Sequence, residues 1–503
     1  INLRGSFPQG GPGAGGNITV KEGKFGASAY FGGSVFNRPE TSTFSNRITT
    51  GTAATNLFQN GTNQSDGYYT YLGGELSYEI DTLNLLTAEF NPNIGKFKSQ
   101  NGQLSQLTDV LNQLQQGYRL LGNNNNTWKG IDLGINYQLG FKSNKERLLT
   151  FSYKFSQNAN DNLNAMNIRE PFNYTMPDYR QTNDEGSNEQ TIQADYVHPI
   201  GKKFRVEGGL KAILRDNNSD FQYTSFNAAS NSFIIVPAQS NQFTNNQDVY
   251  GAYNTYQYNL KDWGFKGGLR LEYTVVNADF ISQAAKLDRN YSNLIPSLSI
   301  NRKFKNMSSV NFGFTQRIQR PNIWNLNPFV DRSNPNFISS GNPDLRPVLS
   351  NNIDFGYSIF KKGSVNLSMS YSFANNTIQQ VSTFDPQTQI TTSSYSNIGK
   401  DKSLGGNFNA NYPITKKWNF NIGGNMSYLW IQGVINGVTA KNSGLNGYVY
   451  GSTSYKFEKE WRLSANFSYS SPWIMLFSGN GFIWAKSASR LGTATTTAVT
   501  EIG

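Results

Sequence analysis

The chain has no cysteine, a single histidine among 503 residues, and charge on only 15% of its positions. Without a thiol there is no cysteine nucleophile and no thiolate metal site, although the lack of disulfides does not fix a compartment. A Ser-His-Asp triad would have to be centred on His198, and a multi-histidine metal site cannot be built. His198 lies beside Pro199 and the turn Gly201-Lys202-Lys203, a place that suits a residue at a membrane interface. The sequence therefore predicts no catalytic residue, no cofactor and no metal site, and a protein that is not an enzyme. Long apolar runs are missing too. Mean hydropathy is −0.53, and no stretch approaches the roughly 18 apolar residues of a membrane helix. A helical membrane protein is excluded, but a transmembrane barrel is not, because lipid-facing and lumen-facing residues alternate along its strands. The glycine run Gly10-Gly11-Pro12-Gly13-Ala14-Gly15-Gly16 is not followed by the G-K-S/T of a phosphate loop and opens no helical pattern. Residues 1–23 are expected to be a flexible connection, and 24–503 the folded body.

What is present is alternation. Phe265, Leu269, Leu271, Tyr273 and Val275 alternate with Lys266, Arg270, Glu272 and Thr274 in a strand predicted over 263–279. The same pattern marks 188–199, 203–216, 246–260, 364–374 and 417–434, with one face apolar and the other polar. A soluble sandwich would bury the apolar face, whereas a membrane barrel would turn it outward, and period alone does not choose. Three features favour the barrel. The strands run to about ten residues or more. Aromatics such as Trp418 and Trp430 stand at strand ends, where an interfacial girdle would be. Short lysine-bearing turns (Lys142 and Lys145, Lys202 and Lys203, Lys303 and Lys305, Lys361 and Lys362, Lys416 and Lys417) alternate with polar segments of about thirty residues, as in outer-membrane barrels. The formal net charge of +11 is spread one turn at a time, suited to solvent or anionic headgroups, and no nucleic-acid partner is expected.

One long segment joins two alternating strands, and it carries Arg317-Ile318-Gln319-Arg320-Pro321, Leu326-Asn327-Pro328-Phe329 and Gly341-Asn342-Pro343-Asp344-Leu345-Arg346-Pro347. With Ala194-Asp195-Tyr196, the strand Gly268–Thr274 and Leu294-Ile295-Pro296-Ser297-Leu298, this pattern resembles the β-barrel of TonB-dependent outer-membrane receptors of the Bacteroidota type. The resemblance covers most of the chain, and is weakest before about Tyr68 and after about Trp473. It implies an all-β fold, a transmembrane antiparallel β-barrel of about 22 strands in the outer membrane. It also implies energised uptake of a nutrient, a plug domain of the same protein in the lumen, and TonB as partner. Outer-membrane lipid would surround the barrel, and a surface lipoprotein is a further partner left open. Roughly nineteen strands are visible by alternation, so some last strands are expected outside this sequence; the plug and the TonB-contacting segment that the resemblance implies are not recognisable in it and are expected outside it too. A passive channel, or the barrel of a larger surface assembly, remains the alternative.

The alternation and the motif also set expectations for single residues. Arg205, Glu207, Lys211, Arg215, Arg270 and Glu272 should project into the lumen and face the plug or line a pore. Trp324, Phe329, Asp331 and Arg332 are candidates for contact with an extracellular ligand, while Arg320-Pro321 and Asn327-Pro328 would shape their loop. Leu104, Leu107, Val110, Leu111 and Leu114 recur at helical spacing and predict a short amphipathic helix within 95–125. By alternation alone, Thr274 should tolerate an arginine.

Overall fold

The structure, a computed structural model, describes residues 2–5, 10–49, 54–334, 336–385, 387–435, 438–457, 462–471 and 499–502. Its strands, in chain order, are β1 (Asn2–Gly5), β2 (Pro12–Glu22), β3 (Phe25–Thr49), β4 (Thr55–Glu79), β5 (Asn84–Asp109), β6 (Leu114–Phe141), β7 (Asn144–Phe172), β8 (Tyr179–Ile200), β9 (Phe204–Asn227), β10 (Ser232–Ile235), β11 (Asn241–Leu260) and β12 (Trp263–Phe280). They continue as β13 (Ala285–Lys303), β14 (Ser308–Gln319), β15 (Val330–Asn334), β16 (Phe337–Ser340), β17 (Val348–Phe360), β18 (Ser364–Asp385), β19 (Ile390–Pro413), β20 (Trp418–Ile435), β21 (Val438–Lys456), β22 (Arg462–Ser470) and β23 (Val499–Ile502). All belong to one sheet. From β2 to β9, and on through β11–β14 and β17–β22, each long strand pairs antiparallel with the next. Arg47 on β3 donates from Nη1 to Thr391 Oγ1 on β19 at 3.0 Å. These strands stand far apart in the sheet, so the contact requires it to curl round as a barrel.

The strands form where the alternation places them; 263–279 and 417–434 keep their predicted lengths within a residue, while others, such as β8, β9 and β18, run much further. Stretches rich in Asn, Gln, Ser and Thr have low strand propensity and read as loops in the sequence. Instead they continue β4–β9 as hairpins, because pairing on both sides satisfies every backbone donor and acceptor. The helix expected within 95–125 is such a hairpin. Thr55–Asp109 pairing on one side and Thr108–Leu114 pairing on the other hold it in β5 and β6, whereas one isolated helix of this length is marginal in water. Leu107 turns inward and is buried, while Val110 and Leu111 stand exposed at the tip. Residues 12–22, expected to be a flexible connection, are β2 and pair along β3. The lysine turns stay short. Gly201, with φ +64°, closes the β8–β9 turn in the left-handed region that glycine enters freely.

Directly paired residues share a face, so registers show where the membrane ends. Phe151, Ala194, Leu210, Ala252 and Leu271 lie in line across β7, β8, β9, β11 and β12 and line one outward apolar groove. Further up the same strands the outward row is Asn188, Asp216, Asn246, Asn277 and Asp288. The inner face inverts in the opposite sense. Charged residues line it at the height of the apolar band, and beyond the polar row it buries Tyr118, Leu120, Ile168, Tyr179 and Tyr223 in one core and Phe243, Ala278 and Phe280 in another. One strand thus serves two surroundings, lipid outside below and water outside above. Protease added to intact cells is expected to cut at the exposed tips around Val110 or 228–231 and to spare Lys361-Lys362 in the opposite turns. Cleavage at the lysine pair with the tips spared would reverse the orientation.

Candidate functional site

All six lumen candidates lie on the inner face, from Arg205 beside the β8–β9 turn to Arg215 beside the outward polar row. Arg205 and Lys266 both reach Glu207 at 2.9 Å, and Arg215 meets Glu189 at 2.5 Å and Gln247 at 2.9 Å. Lys211, Gln193, Tyr253 and Arg270 line a recess of about 330 Å³, where the Tyr253 hydroxyl donates to Asp195. Half-exposed pairs of this kind contribute about 0–1 kcal/mol each. Glu272 differs because it is buried. Arg270 Nε lies 2.6 Å from its carboxylate, but that N–H is not aimed as a hydrogen bond. The directed bond comes from Arg320, whose Nη2 donates to Glu272 Oε2 at 2.5 Å and to Thr274 Oγ1 at 2.9 Å. Arg320 is the last residue before the Pro321 motif, so this buried pair fixes the root of the segment that Pro321 opens.

That segment is a strap across the mouth. Between β14 and β17 the chain turns inward and touches the barrel on well-separated strands. Asn241 on β11 donates from Nδ2 to Asn327 Oδ1 at 2.8 Å, and the Phe329 ring packs 4.4 Å from Phe221 on β9. Tyr118 on β6 donates to Asn336 Oδ1 at 3.0 Å. Arg47 on β3 stands 4.9 Å over the Phe337 ring, and Phe337–Ser339 pairs parallel with Thr391–Ser393 of β19. Arg289 on β13 donates to the Leu345 carbonyl and to Asp344, each at 2.9 Å. Arg346 N donates to Asn397 Oδ1 at 2.7 Å, and Asn397 Nδ2 returns a bond to the Arg346 carbonyl at 3.0 Å.

The two halves of the sequence motif hold each other. Gly341 N donates to the Asn327 carbonyl at 2.7 Å and Asn342 N to the Asn325 carbonyl at 2.6 Å, while Asn327 and Asn342 each accept from the backbone two residues on. A Cβ on Gly341 would lie 2.4 Å from the Asn327 carbonyl oxygen. Gly341→Ala should therefore strain the strap by about 1–3 kcal/mol. On intact cells it should raise protease cutting within 320–349 several-fold over wild type; an unchanged rate would contradict the close packing.

Phe329 is thus an anchor of the strap, partly buried against the wall, rather than an open contact. Asp331 is exposed; burial first, then Tyr223 and Tyr118, and last Asp331, hold the Tyr179 hydroxyl above its ordinary range. The side chains of Trp324 and Arg332 lie outside the described part. Beneath the strap, Tyr118 stacks on Tyr174 at 4.1 Å and Tyr179 on Tyr223 at 5.2 Å. Burial pushes the Tyr174 hydroxyl up as well. Burial pulls the Arg47 guanidinium down to about 10, still charged at neutral pH. Sequence reasoning misses Arg47 and Arg289 altogether, holds Asp344 only as a member of the second motif, and reads Arg320 as a loop-shaping residue that only the R-P motif signals. The arrangement joins a strap held on six strands to a charged, hydrogen-bonding inner wall.

Residues 139–489 match the model of a family described as "Outer membrane protein beta-barrel family". Among solved structures the chain is similar to the siderophore receptor PirA from Pseudomonas aeruginosa, with 12% identity, a TM-score of 0.46, and 91% of this chain and 76% of that chain covered. It is also similar to the copper transporter OprC, with 12% identity, a TM-score of 0.48 and coverage of 89% and 75%. A third is the ferric citrate transporter FecA in its unliganded form, with 10% identity, a TM-score of 0.49 and coverage of 91% and 69%. No curated protein matches the sequence. The family match takes in well over half of the chain and the strands whose outward faces are apolar, and by it this protein belongs to the outer membrane protein β-barrel family, with its place in the outer membrane.

Proposed function

We propose that the chain is the barrel of a receptor that takes up a nutrient across the outer membrane by energised, TonB-dependent transport, and not an enzyme. The observation that carries this reading is the strap, rooted by Arg320 on Glu272 and tied to β3, β6, β9, β11, β13 and β19. A closed mouth is what a receptor needs that opens only for its ligand, and it obstructs a channel meant to stand open. In this reading the inner wall, with Arg205, Glu207, Lys211, Arg215, Arg270 and Glu272, faces a plug domain of the same protein. A plug engages TonB through an added strand, a mode in which backbone hydrogen bonds supply the affinity. Of the two loop candidates whose side chains are described, Phe329 is partly buried and Asp331 is exposed, so Asp331 is the better placed to meet a ligand, whether that ligand arrives free or from a surface lipoprotein.

One observation favours a passive channel instead: most of the wall charges already pair with one another and need no plug to satisfy them. Uptake separates the two. In cells that depend on this protein for a limiting nutrient, growth should be lost when TonB is removed. Growth that persists without TonB would favour the channel.

A further inference from the structure

We propose that the outward face of β18–β21, just above the apolar band, is a binding site for a phosphate-bearing lipid of the outer leaflet. The band is plain in the registers. Leu367, Met369, Leu404, Met426, Tyr428 and Leu445 are all exposed large apolar or aromatic residues on this side, and Tyr371, Leu404, Tyr428 and Leu445 form one row across the four strands. The next outward row places Lys402 opposite Trp430, and the one above places Lys400 opposite Gln432 and Gln432 opposite Lys441.

These residues meet at a groove of about 800 Å³ lined by Tyr371, Lys400, Lys402, Trp430, Gln432 and Lys441, among others. The three lysines are exposed and make no ion pair among the described residues, unlike the lysines and arginines of the inner wall. The neighbouring carboxylate, Asp401, has the opposite parity on β19, pairs there with Ile431 and Ala374, and accepts from Gln379 at 3.1 Å. Three ammonium groups thus crowd one outward spot with no counter-charge of their own.

Height decides which counter-charge fits. Lys402 and Lys400 stand 11 and 13 residues above the end of β19 at Pro413, just past the ten or so that cross a bilayer's hydrocarbon, and Lys441 joins them through Gln432. Acyl chains against Leu404 and Leu445 put their headgroup at the lysines, and Trp430 and Tyr371 are rings of the kind that settle at that interface. The same pattern recurs on β5 and β6. Outward Phe90 and Ile94 give way to Lys96 and Lys98, with Lys129 opposite Ile94, and these lysines likewise make no ion pair among the described residues. A lipid is therefore the occupant, held by acyl contacts and phosphate together.

The test uses the protein reconstituted in nanodiscs and washed in detergent, with retained lipid measured by mass spectrometry and phosphorus analysis. Wild type should retain phosphorylated lipopolysaccharide at least tenfold better than the same glycolipid with its phosphates removed. Lys400→Gln/Lys402→Gln/Lys441→Gln should lose that preference, Lys400→Arg/Lys402→Arg/Lys441→Arg should keep it, and Lys202→Gln/Lys203→Gln in an opposite turn should leave it unchanged. Folding of each variant is checked by heat-modifiable gel mobility, and if the triple glutamine variant does not fold, Lys400→Gln and Lys441→Gln made singly should each weaken the preference, and no change in either would overturn the proposal. Equal retention of both lipids by wild type, or an unaltered preference in a folded glutamine variant, would overturn the proposal. So would displacement of the lipid by millimolar inorganic phosphate, which would make the site one for the free anion.

Discussion

Leu269→Arg should destabilise the barrel in a bilayer by about 2–4 kcal/mol, while Ser297→Arg should cost well under half of that. Leu269 is 53% exposed and lies in the middle of the outward band of β12, where the nearest medium is hydrocarbon. Ser297 is also exposed, but it pairs with Gly268 and so shares the inner face, which is turned away from lipid. Two residues of similar exposure thus face different surroundings. Urea unfolding from lipid vesicles measures both costs, and equal penalties would mean that the apolar face is not turned to lipid.

Glu272→Ala should have the second large effect, about 3–5 kcal/mol. Removing the carboxylate leaves the Arg320 and Arg270 guanidinium groups close together in a buried setting with no anion between them. The strap then loses its root, because the Arg320 Nη2 keeps only Thr274. Glu272→Gln, which retains an acceptor oxygen, should cost less. A cycle with Arg320→Met separates the pair from general damage: the double variant should be markedly less destabilised than the sum of the two single changes. Simple additivity would show that Glu272 and Arg320 act independently.

The barrel is largely legible in the sequence and the strap is not, for reasons that particular residues make plain. Alternation is a local signal, so 263–279 reads as a strand with Leu269 on one face and Arg270 on the other before any neighbour is known. It carries no information on depth, and Thr274 shows the limit. Its parity marks it as a tolerant lumen position, yet it is 0% exposed and accepts from Arg320, so an arginine there would meet both a packed wall and a like charge. Helical spacing misleads at Leu104, Leu107 and Leu111 because three leucines within eight residues fit a hairpin flank and tip equally well. The polar extensions of β4–β9 look like loops because their stability lies in cross-strand pairing, not in side-chain propensity. The strap's contacts join Arg47 to Thr391 and its neighbour Phe337, and Tyr118 to Asn336, and no window of sequence holds both partners. Its motif is visible, but the reason for Gly341, a backbone approach to Asn327, emerges only when the two halves are folded together.

Thiol labelling on intact cells tests the strapped barrel most directly, since these 503 residues hold no cysteine and labelling is scored against the parent protein without the introduced one. Val110→Cys replaces a side chain 71% exposed at an extracellular tip, Leu345→Cys one 3% exposed in the strap, and Lys362→Cys one in an opposite turn. With a membrane-impermeant maleimide, Val110→Cys should react fastest, Leu345→Cys at least tenfold more slowly until Glu272→Ala is added, and Lys362→Cys only after the outer membrane is permeabilised. Equal labelling of Val110→Cys and Leu345→Cys would contradict a strap packed in the mouth, and labelling of Lys362→Cys on intact cells would contradict the topology itself.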